Sequence, residues 1–165
     1  ITLKKNIITG NSKKIDGIRA DSGKLILSSN TISSCSRAII LSSKVKGTVY
    51  PNTFKKNTYN NVKVNSSYVN TLTVKSLSGK SKSAKTATLN WKKLSSASGY
   101  VVYRSASKNG SYTKISTIKK NKTITYKDSK LKRKSTYYYK IVPYTTIGKT
   151  TVYGLDSKIV SIKIK

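Results

Sequence analysis

Four carboxylates (Asp16, Asp21, Asp128 and Asp156), one thiol (Cys35) and no histidine or glutamate make up the conventional acid–base, nucleophilic and metal-ligating inventory of the chain. Paired carboxylates for glycosyl hydrolysis, histidine bases, Cys/His zinc sites and the carboxylate cages of calcium all need residues that are absent or too few. Acid–base or metal catalysis is not expected, and no cofactor is implied. Asp16, Arg19, Asp21 and Lys24 gather near Gly17 and Gly23. They could form a weak site, but a polar turn is the simpler reading. Cys35 has no histidine to activate it and reads as a small packed side chain; alone, it cannot form an internal disulfide.

The residues that remain for chemistry are cations. Lys and Arg number 34 in 165 residues, for a formal charge of +30. Residues 1–71 hold 12 of them against two Asp, and residues 72–165 hold 22 against two. Only Arg19, Arg37, Arg104 and Arg133 are arginine. The planar Arg fork suits bidentate phosphate and base recognition, whereas Lys is a hydrated point charge suited to diffuse attraction or solubility. No compact basic helix, zinc pattern or glycine-aromatic RNA motif accompanies the charge, which argues against specific nucleic-acid binding. A lysine-rich solvated surface and a surface that draws in polyanions both fit. Lys119, Lys120 and Lys122, and then Lys132, Arg133 and Lys134, form the densest clusters and are the candidate anionic-polymer contacts.

The elements that must carry these residues are strands. No run of 18 apolar residues occurs, so no membrane-spanning helix is expected. Twelve Tyr and abundant Ile, Val and Leu favour a β-rich fold. Residues 1–70 repeat: Asn6-Ile7-Ile8, Asn30-Thr31-Ile32 and Asn52-Thr53-Phe54 recur at steps of 24 and 22 residues, each after a short apolar stretch. Ile1-Thr2-Leu3, Leu25-Ile26-Leu27 and Val49-Tyr50 are those stretches. A second register runs through Asp16-Gly17-Ile18, Arg37-Ala38-Ile39 and Asn61-Val62-Lys63-Val64. A period of this length, with several short strands in each, is the mark of a solenoid whose turns bury one another's apolar faces.

The pattern resembles the right-handed parallel β-helix of pectate-lyase-like and related carbohydrate-active or surface proteins. The resemblance implies that Asn6, Asn30 and Asn52 stack as an internal ladder and that Ile8, Ile32 and Phe54 point inward. It covers about residues 1–66, two to three rungs. The family's catalytic carboxylates do not carry over. With no Met, even at position 1, and a strand-like start, the chain is expected to be a piece of a longer protein.

Residues 71–165 follow a different grammar, with strands expected at 71–76, 87–91, 100–105, 113–118, 123–126, 136–144 and 157–165, and an Asn109-Gly110 turn. The order Ala87-Thr88-Leu89-Asn90-Trp91, Ser98 to Ser105, Gly110-Ser111-Tyr112, Tyr126-Lys127-Asp128, Leu131, Tyr137 to Ile141 and Pro143-Tyr144 resembles a fibronectin type III domain of the kind found in extracellular proteins of Gram-positive bacteria. The resemblance implies a buried Trp91 and a tyrosine corner at Tyr137. Lys132-Arg133-Lys134 stands where the family has a Pro-Gly turn. Trp91, Tyr100, Tyr137 and Tyr139 are expected in the core, leaving Tyr103, Tyr138, Tyr144 and Tyr153 for partners.

The fold expected is therefore all-β, a short right-handed parallel β-helix fragment followed by a seven-stranded fibronectin type III β-sandwich. The function expected is that of a non-catalytic extracellular or cell-surface module, a monomer or part of a longer chain. It would space or anchor its neighbours and bind anionic polysaccharide or cell-wall polymer, such as teichoic acid or mucin-like glycan, by diffuse attraction. A polysaccharide lyase or hydrolase with its active rungs upstream, and non-specific nucleic-acid binding, are the alternatives.

Overall fold

A computed structural model describes residues 1–10, 16–69 and 72–165. The first residue of the strand expected at 71–76 lies outside the described residues. Two compact units emerge: Ile1–Leu72 with Thr145–Gly154, and Thr73–Tyr144 with Leu155–Lys165.

In the first unit nine strands fall into three parallel ladders. β1 (Thr2–Lys4), β4 (Gly23–Ser28) and β7 (Val45–Val49) form one, β2 (Ile7–Thr9), β5 (Thr31–Ser33) and β8 (Thr53–Lys55) the second, and β3 (Ile18–Ala20), β6 (Arg37–Leu41) and β9 (Tyr59–Val64) the third. Registers follow the sequence repeats: Leu3 pairs with Leu27 and Leu27 with Val49, Ile8 with Ile32 and Ile32 with Phe54, Ile18 with Ile39 and Ile39 with Val62. The step from β2 to β5 is 24 residues and that from β3 to β6 is 21, so the segment 10–17 carries three more residues than its successor. β10 (Ser67–Val69) folds back antiparallel on β9 and ends the third ladder.

Short strands cannot bury their own apolar sides, so the ladders share one core. Leu27, Ile32, Ala38, Ile39, Leu41 and Val45 have no exposed surface. Corner polarity is satisfied by amides. Asn30, fully buried, donates from Nδ2 to the Leu3 carbonyl (3.0 Å) and to Asn52 Oδ1 (2.9 Å), while its Oδ1 accepts from the Asn6 backbone N–H and Asn6 Nδ2, both at 3.0 Å. Buried polar groups are retained where every donor and acceptor finds a partner. A second corner uses Asn57, which accepts from the Cys35 N–H at 2.9 Å and donates to the Ile32 carbonyl at 2.9 Å. Lys5 and Ser29, and then Ser34 and Lys56, take left-handed φ at equivalent corner positions.

The second unit is β-sandwich-like. β11 (Ser78–Lys80), β12 (Ala87–Asn90) and β15 (Thr125–Asp128) pair antiparallel. β14 (Thr113–Ile118), β13 (Gly99–Ser105), β16 (Thr136–Ile147) and β18 (Val160–Lys163) form the facing antiparallel array. Trp91, Tyr100 and Tyr139 are buried together with Leu89, Ile141 and Ile162, and Trp91 meets Tyr100 edge-on at 5.4 Å. Tyr137 packs against this core, and its hydroxyl accepts from the Lys132 N–H at 3.2 Å, as a tyrosine corner does.

Three local expectations change. No strand occupies 72–76, where only Thr73 bridges Leu155; the first strand is instead Ser78-Gly79-Lys80, whose turn-like composition hides a ladder. The strand expected at 123–126 runs Thr125–Asp128. β16 continues to Ile147, turns at Gly148 (φ 56°), and returns as β17 (Thr150–Tyr153), which pairs parallel with β7. Residues 145–154 thus belong to the first unit. Val152 and Ile147 join its core, the Thr150 hydroxyl donates to the Val45 carbonyl at 2.9 Å, and Tyr153 stacks on Tyr50 at 5.0 Å.

Candidate functional site

All four carboxylates are engaged. Asp16 and Asp21 flank Arg19 at 3.2 and 3.7 Å, a polar cluster that does not include Lys24. Asp156 meets the Lys140 ammonium at 2.6 Å. Asp128 is buried, with Arg104 at 2.9 Å and the Tyr139 hydroxyl donating to it at 2.9 Å. Burial, and then the Asp128 charge, push the Tyr139 hydroxyl pKa far up, so this is a neutral donor holding a buried carboxylate. A carboxylate already neutralised by a cation is a poor general base, and among the described residues no group of three His, Cys, Asp or Glu could hold a metal. Cys35 is buried, with its thiol 3.1 Å from the Ser33 carbonyl.

The two basic clusters sit on separate loops of the second unit. Lys119, Lys120 and Lys122 lie between β14 and β15 and line an open groove of about 520 Å³ with Ala97, Ser98 and Asn121. The Tyr100 hydroxyl pins this loop from beneath: it accepts from the Leu94 N–H at 2.9 Å and donates to the Asn121 carbonyl at 3.4 Å. Of the second cluster, Arg133 and Lys134 line another open groove, about 740 Å³, together with Lys163, Ile164 and Lys165. The Lys134 N–H donates to the Ile164 carbonyl at 2.9 Å, and the Ile164 N–H to the Ser135 carbonyl at 2.9 Å, which fixes the loop against the last strand. Lys132 is not among the lining residues. The two grooves share no residue, so the clusters do not merge into one site.

Lys163 and Lys165 were not singled out from sequence. Their signal is the alternation that runs through β18 and just beyond it, with Ile162 and Ile164 buried and Lys163 and Lys165 facing solvent. Lys134 carries a φ of 61°, a left-handed conformation that glycine adopts without penalty. Lys134 thus holds a turn conformation that favours glycine, which adds charge and introduces strain.

The tyrosines expected to be open to partners are partly engaged. Tyr153 stacks on Tyr50, and the Tyr144 hydroxyl reaches the Ile118 carbonyl at 3.4 Å. Tyr103 and Tyr112 flank the Lys140 ammonium at 5.7 and 4.8 Å from their ring centroids. Desolvation, then Tyr138 and Asp156, raise the Tyr112 pKa.

No protein-family model and no curated protein matches the chain. Among solved structures, an Fn3-like protein from Clostridium thermocellum aligns at 29% identity over 55% of this chain and 88% of that one, with a TM-score of 0.47. The chicken CNTN1 FN1-FN3 domains align at 19% identity over 63% of this chain and 32% of that one, with a TM-score of 0.50. The sixth fibronectin type III domain of human fibronectin type III domain containing protein 3 aligns at 19% identity, covering 58% and 87%, with a TM-score of 0.48. Among the described residues the chain is all-β, and part of it has a fibronectin-type-III-like fold. Among the described residues no helix is long and apolar enough to cross a membrane.

Proposed function

We propose that the chain is a non-catalytic module of a modular bacterial surface or secreted protein of Gram-positive type. In this reading residues 1–70 are the C-terminal rungs of a right-handed parallel β-helix and residues 71–165 a fibronectin type III domain, whose segment 145–154 packs with the first unit. The three parallel ladders and the Asn6–Asn30–Asn52 amide chain support the first assignment; parallel crossovers are overwhelmingly right-handed. The module spaces or anchors its neighbours at the cell envelope and holds anionic cell-wall polymer or host glycan.

The observation that carries the binding is the groove in which Arg133, Lys134, Lys163 and Lys165 converge without an acidic side chain in its lining. Lys119, Lys120 and Lys122 add a second basic groove, and Lys132 adds charge beside the first. These cations are exposed and mostly lysine, so attraction is long-range, tolerant of sequence and screened over about 8 Å at physiological salt.

The test is titration with teichoic acid, a heparin-type glycan and duplex DNA at matched charge over a salt series. Binding at low salt that falls steeply with salt, and weakens when Arg133, Lys134, Lys163 and Lys165 are all changed to Ser, is expected. Absence of binding to any polyanion at low salt sinks the proposal. A strong preference for DNA over both glycans moves the function to nucleic acid.

A further inference from the structure

On the outward face of the second unit's larger array, Tyr103 of β13 pairs directly across from Lys140 of β16. Tyr138, two residues before Lys140 on the same strand, lies on the same side. Tyr112 approaches from the residue before β14, its hydroxyl donating to the Lys108 carbonyl at 3.0 Å. None of these three rings belongs to the buried core of the unit. Tyr103 and Tyr112 flank a lysine held from several directions: its ammonium is 4.8 Å from the Tyr112 centroid, 5.7 Å from that of Tyr103 and 2.6 Å from Asp156 Oδ2. The Lys140 side chain is only 21% exposed, whereas Asp156 is 54% exposed. A long cationic side chain has thus been immobilised before any ligand arrives, which lowers the entropic cost of using it in recognition.

Charge decides what such a patch accepts. In a chain of net +30, this surface is balanced locally, because Asp156 neutralises Lys140. An anion would have to displace the carboxylate, and a cation would meet the ammonium. What fits is an uncharged ring with C–H faces for the tyrosines and hydroxyls for the ion pair, donating to Asp156 and accepting from Lys140. We propose that Tyr103, Tyr112, Tyr138 and the Lys140–Asp156 pair form a subsite for one pyranose ring of a neutral oligosaccharide. It is separate from the basic grooves and holds by stacking and hydrogen bonding rather than by net charge.

The test titrates the full chain, isotopically labelled for amide NMR, with oligosaccharides of glucose, mannose, galactose or N-acetylglucosamine in about 0.5 M NaCl, where exposed charge is largely screened. One of them is expected to shift the amides of Tyr103, Tyr112, Tyr138 and Lys140. Tyr112→Ala should weaken that binding about tenfold, while Tyr112→Phe, which keeps the ring, retains it. Lys140→Met, which keeps the stem and removes the ammonium, should abolish it while circular dichroism stays unchanged. The proposal is overturned if none of the four sugars perturbs these amides, if Tyr112→Ala binds as the parent does, or if single-stranded DNA shifts the same amides and the sugars do not. Loss of sugar binding with salt-sensitive polyanion binding intact refutes this inference alone, and the reverse outcome refutes only the polyanion reading.

Discussion

Replacing Asn30 by alanine removes the central amide of the corner ladder and strips four hydrogen bonds at once. Asn30 has no exposed surface, whereas Asn6, one turn earlier in the same register, is exposed. Its loss leaves the Asn6 N–H and Nδ2 to water and strands the partly buried Leu3 carbonyl, while Asn52 Oδ1 keeps the Asn30 backbone N–H at 2.9 Å. At about 1–3 kcal/mol for the buried carbonyl left unsatisfied and about 1 kcal/mol for the lost amide bond to Asn52, the expected cost is about 2–4 kcal/mol. Asn6→Ala, at an exposed position where water replaces each bond, should cost under about 1 kcal/mol by the same reasoning. The assay is urea denaturation read from amide signals of β4, β5 and β7, so that the first unit is followed by itself. Equal costs for the two substitutions, or an Asn30→Ala cost below that of Asn6→Ala, would refute the reasoning that burial gives the ladder its energy.

Three further outcomes follow from the same structure. Tyr139 has a raised pKa, chiefly through burial, so the unfolded chain loses its phenolic proton first as pH rises; stability should fall above about pH 10 by up to about 1.4 kcal/mol per unit for this residue, and Tyr139→Phe should flatten that slope. Thr150→Val leaves the Val45 carbonyl without its side-chain donor and should cost about 1–2 kcal/mol, read as faster hydrogen exchange in β7 and β17; unchanged exchange there would contradict the role given to residues 145–154. Lys134→Gly relieves a left-handed lysine and should raise stability by about 1 kcal/mol while weakening polyanion binding, a separation that thermal melting and a salt-series titration read independently.

How far the sequence discloses this arrangement depends on whether a feature is local and periodic. The asparagine register was legible because an amide must return to the same corner in every turn, and Asn6, Asn30 and Asn52 do so. Trp91 and the Tyr137 corner were legible through the resemblance to fibronectin type III domains, and Tyr100 and Tyr139 through the inward positions that go with it. Ser78–Lys80 was not, since its residues have turn propensities and become a strand only by pairing with β12. Nor was the path of residues 145–154: no strand is expected there from the sequence, and nothing local says that Thr150 and Val152 pair with β7, some hundred residues earlier. The basic site was half legible. Lys132-Arg133-Lys134 stands out as a run, but Lys163 and Lys165 join it only because the Ile164 backbone bonds on both sides of that turn.

The measurement closest to the central claim is the affinity of the intact chain for a teichoic acid as a function of salt, with and without Arg133, Lys134, Lys163 and Lys165. The account predicts tight binding at low salt, a linear fall of log affinity with log salt, and a shallower slope once the four cations are removed. A binding constant indifferent to salt, or a slope unchanged by their removal, would contradict it.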